Sequence, residues 1–132
     1  MHTAPLSVPG PPKFAGVTGL HVIAGLYDCP NSPLMTDAAA LENVCKEYVR
    51  EAGLLDVGAL FHAFPGDSGV TGTVVLAESH LTIHTWPEHG YISLDVFVCN
   101  YSGDNSGKAR HLASHLIALF TPGEQRVQEV IR

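Results

Sequence analysis

Residues 70–99 read VTGTVVLAESHLTIHTWPEHGYISLDVFVC. Val70 to Glu78, His80 to Trp86 and Tyr91 to Cys99 are three runs rich in β-branched and aromatic residues, the signature of strands. Pro87-Glu88-His89-Gly90 is turn chemistry between the second and third. No stretch of helical periodicity separates the three, so each is expected to pair with the next in antiparallel fashion. Parallel neighbours would need a long crossover connection.

Outward from this block the pattern changes. On the N-terminal side, Asp56 to Phe64 is a further strand, and Pro65-Gly66-Asp67-Ser68-Gly69 joins it to Val70. Ahead of it, Ala40, Leu41, Val44, Cys45, Tyr48, Val49 and Ala52 recur at three- and four-residue steps, one apolar stripe of a helix facing a sheet. Thr36 is the expected N-cap, Asp37 suits the first turn, and Gly53 stands where a glycine stop belongs. Gly19 to Cys29 is the first strand. On the C-terminal side a helix is expected from Ser106, capped by Asp104, Asn105 or Ser106, with Ala109, Leu112, Ala113, Leu116, Ile117 and Phe120 inward. Pro122-Gly123 stops it, and Arg126 to Ile131 makes a last strand. The order β-α-β-β-β-β-α-β predicts an α/β (α+β) sandwich: an antiparallel sheet with two helices on one face. Residues 19–132 form its single domain, and residues 1–18, with Pro5, Pro9, Pro11 and Pro12, read as a flexible arm.

Composition bounds the function. A chain of 132 residues, 45% hydrophobic and 15% charged, suits one globular domain. It lacks the apolar run of a membrane span and the start of a secretory signal, so a cytoplasmic protein is expected, with no membrane partner. Three cysteines without a CxxC pair read as free thiols. A net charge of −6 with only seven Lys and Arg argues against a nucleic-acid partner.

Two short motifs mislead. Gly66-Asp67-Ser68-Gly69 resembles a protease nucleophile loop, but the chain is too short for the two barrels and partner residues that chemistry needs. Gly103 to Lys108 is one residue short of a phosphate loop and reads as a capped helix start. Eight histidines invite a metal hypothesis. Yet His80 and His84 would lie roughly 13 Å apart along a strand, too far to share one ion. His111 and His115, at helical spacing, lack the acid of HExxH and read as a solvated face, so no metal is expected. What remains is a serine after a glutamate at the start of a hairpin, two histidines on its first arm and a cysteine ending the second. A hydroxyl, imidazoles and a thiol make a credible proton-transfer and nucleophile set.

Glu78-Ser79-His80-Leu81-Thr82-Ile83-His84-Thr85-Trp86-Pro87-Glu88 resembles the signature of the prokaryotic S-adenosylmethionine decarboxylases, self-cleaving pyruvoyl-dependent enzymes of polyamine synthesis. The likeness spans Gly19 to Arg132, through Phe61 to Phe64 and Gly69 to Gly72 to Cys99. It implies a proenzyme in which Ser79 attacks the carbonyl of Glu78, the amide becomes an ester, and β-elimination cuts the chain. The products are a β chain, 1–78, and an α chain, 79–132, that begins with a pyruvoyl group made from Ser79. The resemblance makes His84 the processing base, a role suited to imidazole, and gives Thr71 the place of a serine that assists processing. The pyruvoyl carbonyl then forms a Schiff base with the substrate amine and draws in the electrons left by CO2. Cys99 returns the proton, and thiols of ordinary pKa, about 8.5, are mostly protonated at neutral pH.

For substrate, the resemblance implies Phe64 as a stacking ring and Glu88 as a carboxylate for the ribose hydroxyls. The loop after Phe64 is one residue longer than its family counterpart and carries Asp67, a further substrate-binding candidate. The expected enzyme is a lyase that makes the aminopropyl donor for spermidine, working as a homodimer of cleaved αβ protomers. Two alternatives stand beside it. One is decarboxylation of L-ornithine or L-arginine on the same machinery; the other is a processing-incompetent paralogue that binds or regulates a partner. Ser79 and His84 are five apart and would face opposite ways on a flat strand. A bulge or turn near Ser79 is therefore expected.

Overall fold

The computed structural model of the chain describes residues 13, 14 and 17–132. Of the expected arm, all but residues 13, 14, 17 and 18 lie outside the described residues. Alternation of buried Leu20, Val22, Ala24 and Leu26 with half-exposed neighbours builds β1 (Gly19–Tyr27). It ends two residues before the expected Cys29, because Asp28 takes a left-handed backbone (φ 54°) and turns the chain out.

A short 3₁₀ turn, Pro33–Met35, precedes α1 (Ala38–Glu51). The N-cap is Asp37, one residue after the expected Thr36: its carboxylate accepts from Ala40 N at 3.0 Å, the bond that defines a cap. Thr36 instead closes the 3₁₀ turn. Gly53, at φ +79°, stops the helix as expected. Strands β2 (Asp56–Ala63) and β3 (Val70–Leu76) follow, then β4 (His80–Trp86) and β5 (Tyr91–Cys99), the last two with their expected bounds. Helix α2 (Ser106–Phe120) ends at Thr121, and β6 (Glu124–Ile131) starts two residues earlier than expected.

The six strands form one sheet in the order β2-β3-β4-β5-β1-β6, antiparallel at every pairing. Leu41, Cys45 and Val49 of α1 and Leu112 and Leu116 of α2, fully buried, pack against Leu20, Leu26, Val74, Leu81, Ile83 and Ile92 of the sheet. The α+β sandwich expected from the element order is the observed fold. Among the described residues no helix covers the other face, which carries His21, Tyr27, Thr71, His80, His84, Trp86, Tyr91, Asp95 and Phe97.

One buried hydroxyl locks the end of the sheet where β4 turns into β5. Thr85 Oγ1 accepts from Val70 N at 2.8 Å and donates to Met35 O at 2.7 Å. Gly69 (φ +127°) passes so close that a Cβ there would collide with the Thr85 carbonyl. Thr85→Val should orphan the Val70 N–H and the Met35 carbonyl, costing about 1–3 kcal/mol in urea unfolding. An unchanged midpoint would show that these groups find other partners.

Candidate active site

The scissile candidate lies in the tightest part of the 70–99 block. β3 ends at Leu76 and β4 resumes at His80, with Ala77, Glu78 and Ser79 as a three-residue connection. Leu76 N donates to Ser79 O at 2.9 Å, and Ser79 N to Leu76 O at 3.4 Å. The turn expected near Ser79 is therefore present. Glu78 is exposed and Ser79 half-buried. Ser79 Oγ accepts a hydrogen bond from the Cys99 main-chain N–H at 2.8 Å. Residues twenty apart in sequence meet because β4 and β5 pair with His80 opposite Phe97. Glu78 and Cys99, with Val17, Phe97 and Tyr101, line an apolar recess of about 310 Å³. On the helix side, Glu78, Ser79 and Cys99 border a smaller one of about 170 Å³ that reaches Asn105 and Lys108.

A second group forms at the opposite end of the same strands. Thr71 pairs with His84 across β3 and β4, and Thr71 Oγ1 lies 3.1 Å from His84 Nδ1. The His84 ring tilts against Trp86 at 5.8 Å, and Trp86 against Tyr91 at 5.4 Å. Phe64, 45% exposed, stands edge-on to His62 just past β2. Its N–H bonds the Gly69 carbonyl at 2.9 Å, closing the 65–69 loop. Asp67, at φ 53°, and Glu88 border one cleft of about 580 Å³ together with Asn31, Ser32, Pro33, Thr36 and Pro87.

The sequence-derived set thus divides. Ser79, Glu78 and Cys99 come together; Thr71 and His84 come together, with Phe64 against the His62 that pairs with Thr71; Asp67 and Glu88 share a cleft that none of these lines. Within one chain the turn at Ser79 does not carry His84 to it: five residues of extended chain separate them by about 16 Å.

A third cluster escaped the sequence reading. His21 Nε2 lies 2.7 Å from Asp95 Oδ2, and His80 Nε2 lies 3.5 Å from the same oxygen. Arg132 Nη1 meets His21 Nδ1 at 3.1 Å. A guanidinium only donates, so Nδ1 accepts, and Nε2–H is the side that faces Asp95. These His and Asp ligand atoms lie within 4.8 Å of one another, a spacing that could hold a cation. The Arg132 bond favours a proton on His21 Nε2, where such an ion would sit. Weighing His80 only against His84, its neighbour in sequence, overlooked partners that strand register supplies. Of the three cap candidates, Asp104, Asn105 and Ser106, Asn105 holds the N-cap position, but its side chain makes no cap bond and donates to the Cys99 carbonyl at 2.8 Å.

Cys29 and Cys45 are thiols raised above their ordinary range. Burial, then the nearby Glu42 charge, pushes Cys45 up to about 12. Burial and Asp28 raise Cys29. Thiolate is the reactive form, so iodoacetamide at pH 8 should leave Cys45 unmodified until the protein is unfolded. Native labelling of Cys45 would show that α1 opens readily.

An antiparallel sheet of six strands backed by two helices is a fold that this chain shares with a decarboxylase of solved structure. The crystal structure of the adenosylmethionine decarboxylase from Aquifex aeolicus VF5 matches it with a TM-score of 0.75 at 31% identity, over 86% of this chain and 88% of that one. The chain belongs to the S-adenosylmethionine decarboxylase family, whose model matches residues 20–132. The S-adenosylmethionine decarboxylase proenzyme of Fervidobacterium nodosum is 46% identical over 114 residues, 86% of this chain and 79% of that protein. That of Thermosipho melanesiensis is 48% identical over 81 residues, a stretch covering 61% of each protein. That of Syntrophomonas wolfei is 38% identical over 114 residues, 86% of each.

Proposed function

We propose that this protein is a proenzyme that cuts itself between Glu78 and Ser79 and, once cut, decarboxylates S-adenosylmethionine. The observation that carries this reading is the Ser79 hydroxyl, which stands in the 77–79 turn one peptide bond from the Glu78 carbonyl and accepts from Cys99 N at 2.8 Å. Family membership and the word proenzyme in the relatives' names support it. The residues fit a pyruvoyl group at position 79: a hydroxyl to become it, a thiol-bearing residue beside it, and a recess of about 310 Å³ opening onto Cys99. Such a group supplies the electron sink that loss of CO2 requires. The chain's own residues do the rest. His84 donates Nδ1–H to Thr71 Oγ1, which leaves the Nε2 lone pair for taking the α-proton in chain cleavage. Cys99 returns a proton to the product, while Phe64 and Glu88 hold the nucleoside and Asp67 shapes the mouth.

These roles need Ser79 and His84 at one point, and a single chain keeps them about 16 Å apart. A homodimer resolves this. Two copies related by a two-fold axis, open faces together, bring the Ser79–Cys99 end of one against the Thr71–His84 end of the other. The cleaved protein is then a dimer of αβ protomers, 1–78 and 79–132, with a small-molecule substrate. No helix among the described residues is long and apolar enough to cross a membrane, and a cytoplasmic setting suits a chain whose three cysteines form no disulfide.

Substrate is tested by CO2 release from the processed protein, with S-adenosylmethionine, L-ornithine and L-arginine offered separately at equal concentration. Release from S-adenosylmethionine alone is expected. Release from ornithine or arginine instead would overturn the substrate and move attention to the 65–69 loop. A chain that stays uncut on long incubation would sink the enzyme reading.

A further inference from the structure

Cys99 enters the proposed function through its thiol, but the contact that the structure makes with Ser79 is through its main chain. Amides alternate sides along β5. Asn100 N bonds Thr18 O at 2.8 Å on the β1 side, so Cys99 N points toward β4. There β4 has ended, and the Ser79 hydroxyl takes the place of a ladder carbonyl, at 2.8 Å. The Cys99 peptide is fixed from behind as well. Its carbonyl accepts from Asn105 Nδ2 at 2.8 Å. Asn105 is buried, 8% exposed, and its own N–H bonds Asn100 Oδ1 at 2.8 Å. A polar side chain at the start of α2 is thus spent on residue 99 instead of on the helix.

We infer that the Cys99 main-chain N–H stabilises the oxygen that leaves Ser79 during chain cleavage, and that Asn105 positions it. The inference rests on Ser79 being the cleavage residue. First, Oγ bonds the Glu78 carbonyl carbon as the C–N bond breaks, and the hydroxyl proton passes to the freed amine. Next, a base removes the Ser79 α-proton, the Cα–Cβ double bond forms, and the Cβ–Oγ bond breaks with its electrons going to Oγ. That atom becomes an oxygen of the new Glu78 carboxylate. The bridging oxygen of an ester is a poor acceptor and a carboxylate oxygen a strong one. A donor already fixed on Oγ therefore binds tighter as the bond breaks, which is the condition for catalysis.

The test compares Cys99→Ala with the same chain carrying lactic acid at position 99, which replaces only N–H by O. Cut and uncut chains are followed by denaturing mass spectrometry, with hydroxylamine added to cleave esters; its cut at the introduced 98–99 ester is told from a cut at 78–79 by fragment mass. The lactate chain should form α chain about 10²-fold more slowly than its alanine partner, accumulate ester, and be cut by hydroxylamine to give a free Ser79 N-terminus. Asn105→Asp, which keeps the shape but offers no donor to the Cys99 carbonyl, should accumulate the same ester while retaining native circular dichroism. Equal rates in the lactate and alanine chains would overturn the inference, and so would a lactate chain that stops before any ester forms. A wild-type junction elsewhere than 78/79 would instead overturn the reading beneath it, and is seen in the same spectra.

Discussion

Ser79→Ala is expected to remain one uncut chain of 132 residues, with no CO2 release from S-adenosylmethionine at any incubation time. The loss is total because one oxygen atom serves twice, as the nucleophile that opens the 78–79 bond and as the leaving atom that creates the carbonyl used in turnover. Misfolding is not the expected cause. The turn is tied by main-chain bonds between Leu76 and Ser79, and Ser79 is only half-buried. His84→Ala should behave differently, slowing or stopping at the ester, since the hydroxyl can still attack. Its ring meets Thr71 and Trp86 on the open face, so the core is untouched. Denaturing mass spectrometry with and without hydroxylamine separates the two outcomes. Normal cutting in either variant would remove that residue from the mechanism.

Mixing the two defective chains should restore cleavage. In a dimer with exchanged sites, the Ser79 of a His84→Ala chain faces the His84 of a Ser79→Ala chain, so one of the two sites is whole. Co-expression at equal levels pairs unlike chains in roughly half of the dimers. With different tags on the two chains, fragments should derive from the His84→Ala chain and never from the Ser79→Ala chain. The effect is all-or-none for the mixed dimer, and it follows from a distance: five extended residues hold Ser79 and His84 about 16 Å apart in one protomer. If neither chain is cut in the mixture while wild type is cut alongside, each site is built within one chain, and β4 must rearrange to build it.

The fold was legible because each element declares itself locally. The apolar stripe from Leu41 to Ala52, the strand runs at His80–Trp86 and Tyr91–Cys99, and the stop at Gly53 are short-range patterns, and the structure places them as read. Misses fell at ends. The cap moved from Thr36 to Asp37 because capping depends on which side chain reaches Ala40 N, a matter of about one residue's φ and ψ. Asn105 was legible as a cap position but not as the partner of Cys99, since nothing in residues 99–105 says that the side chain turns back.

The sequence by itself determined the element types, the six strands around two helices, and the candidate chemistry of Glu78-Ser79, His84 and Cys99, since hydrophobic period and motif are local properties of the chain. Tertiary structure alone decided which of these groups meet. The pairing of His80 with Phe97 sets Ser79 Oγ on Cys99 N, that of Thr71 with His84 builds the second group, and three neighbouring strands gather His21, His80 and Asp95. Register between strands is a long-range choice made by the buried face as a whole, and a slip of one residue would reverse every side chain on it.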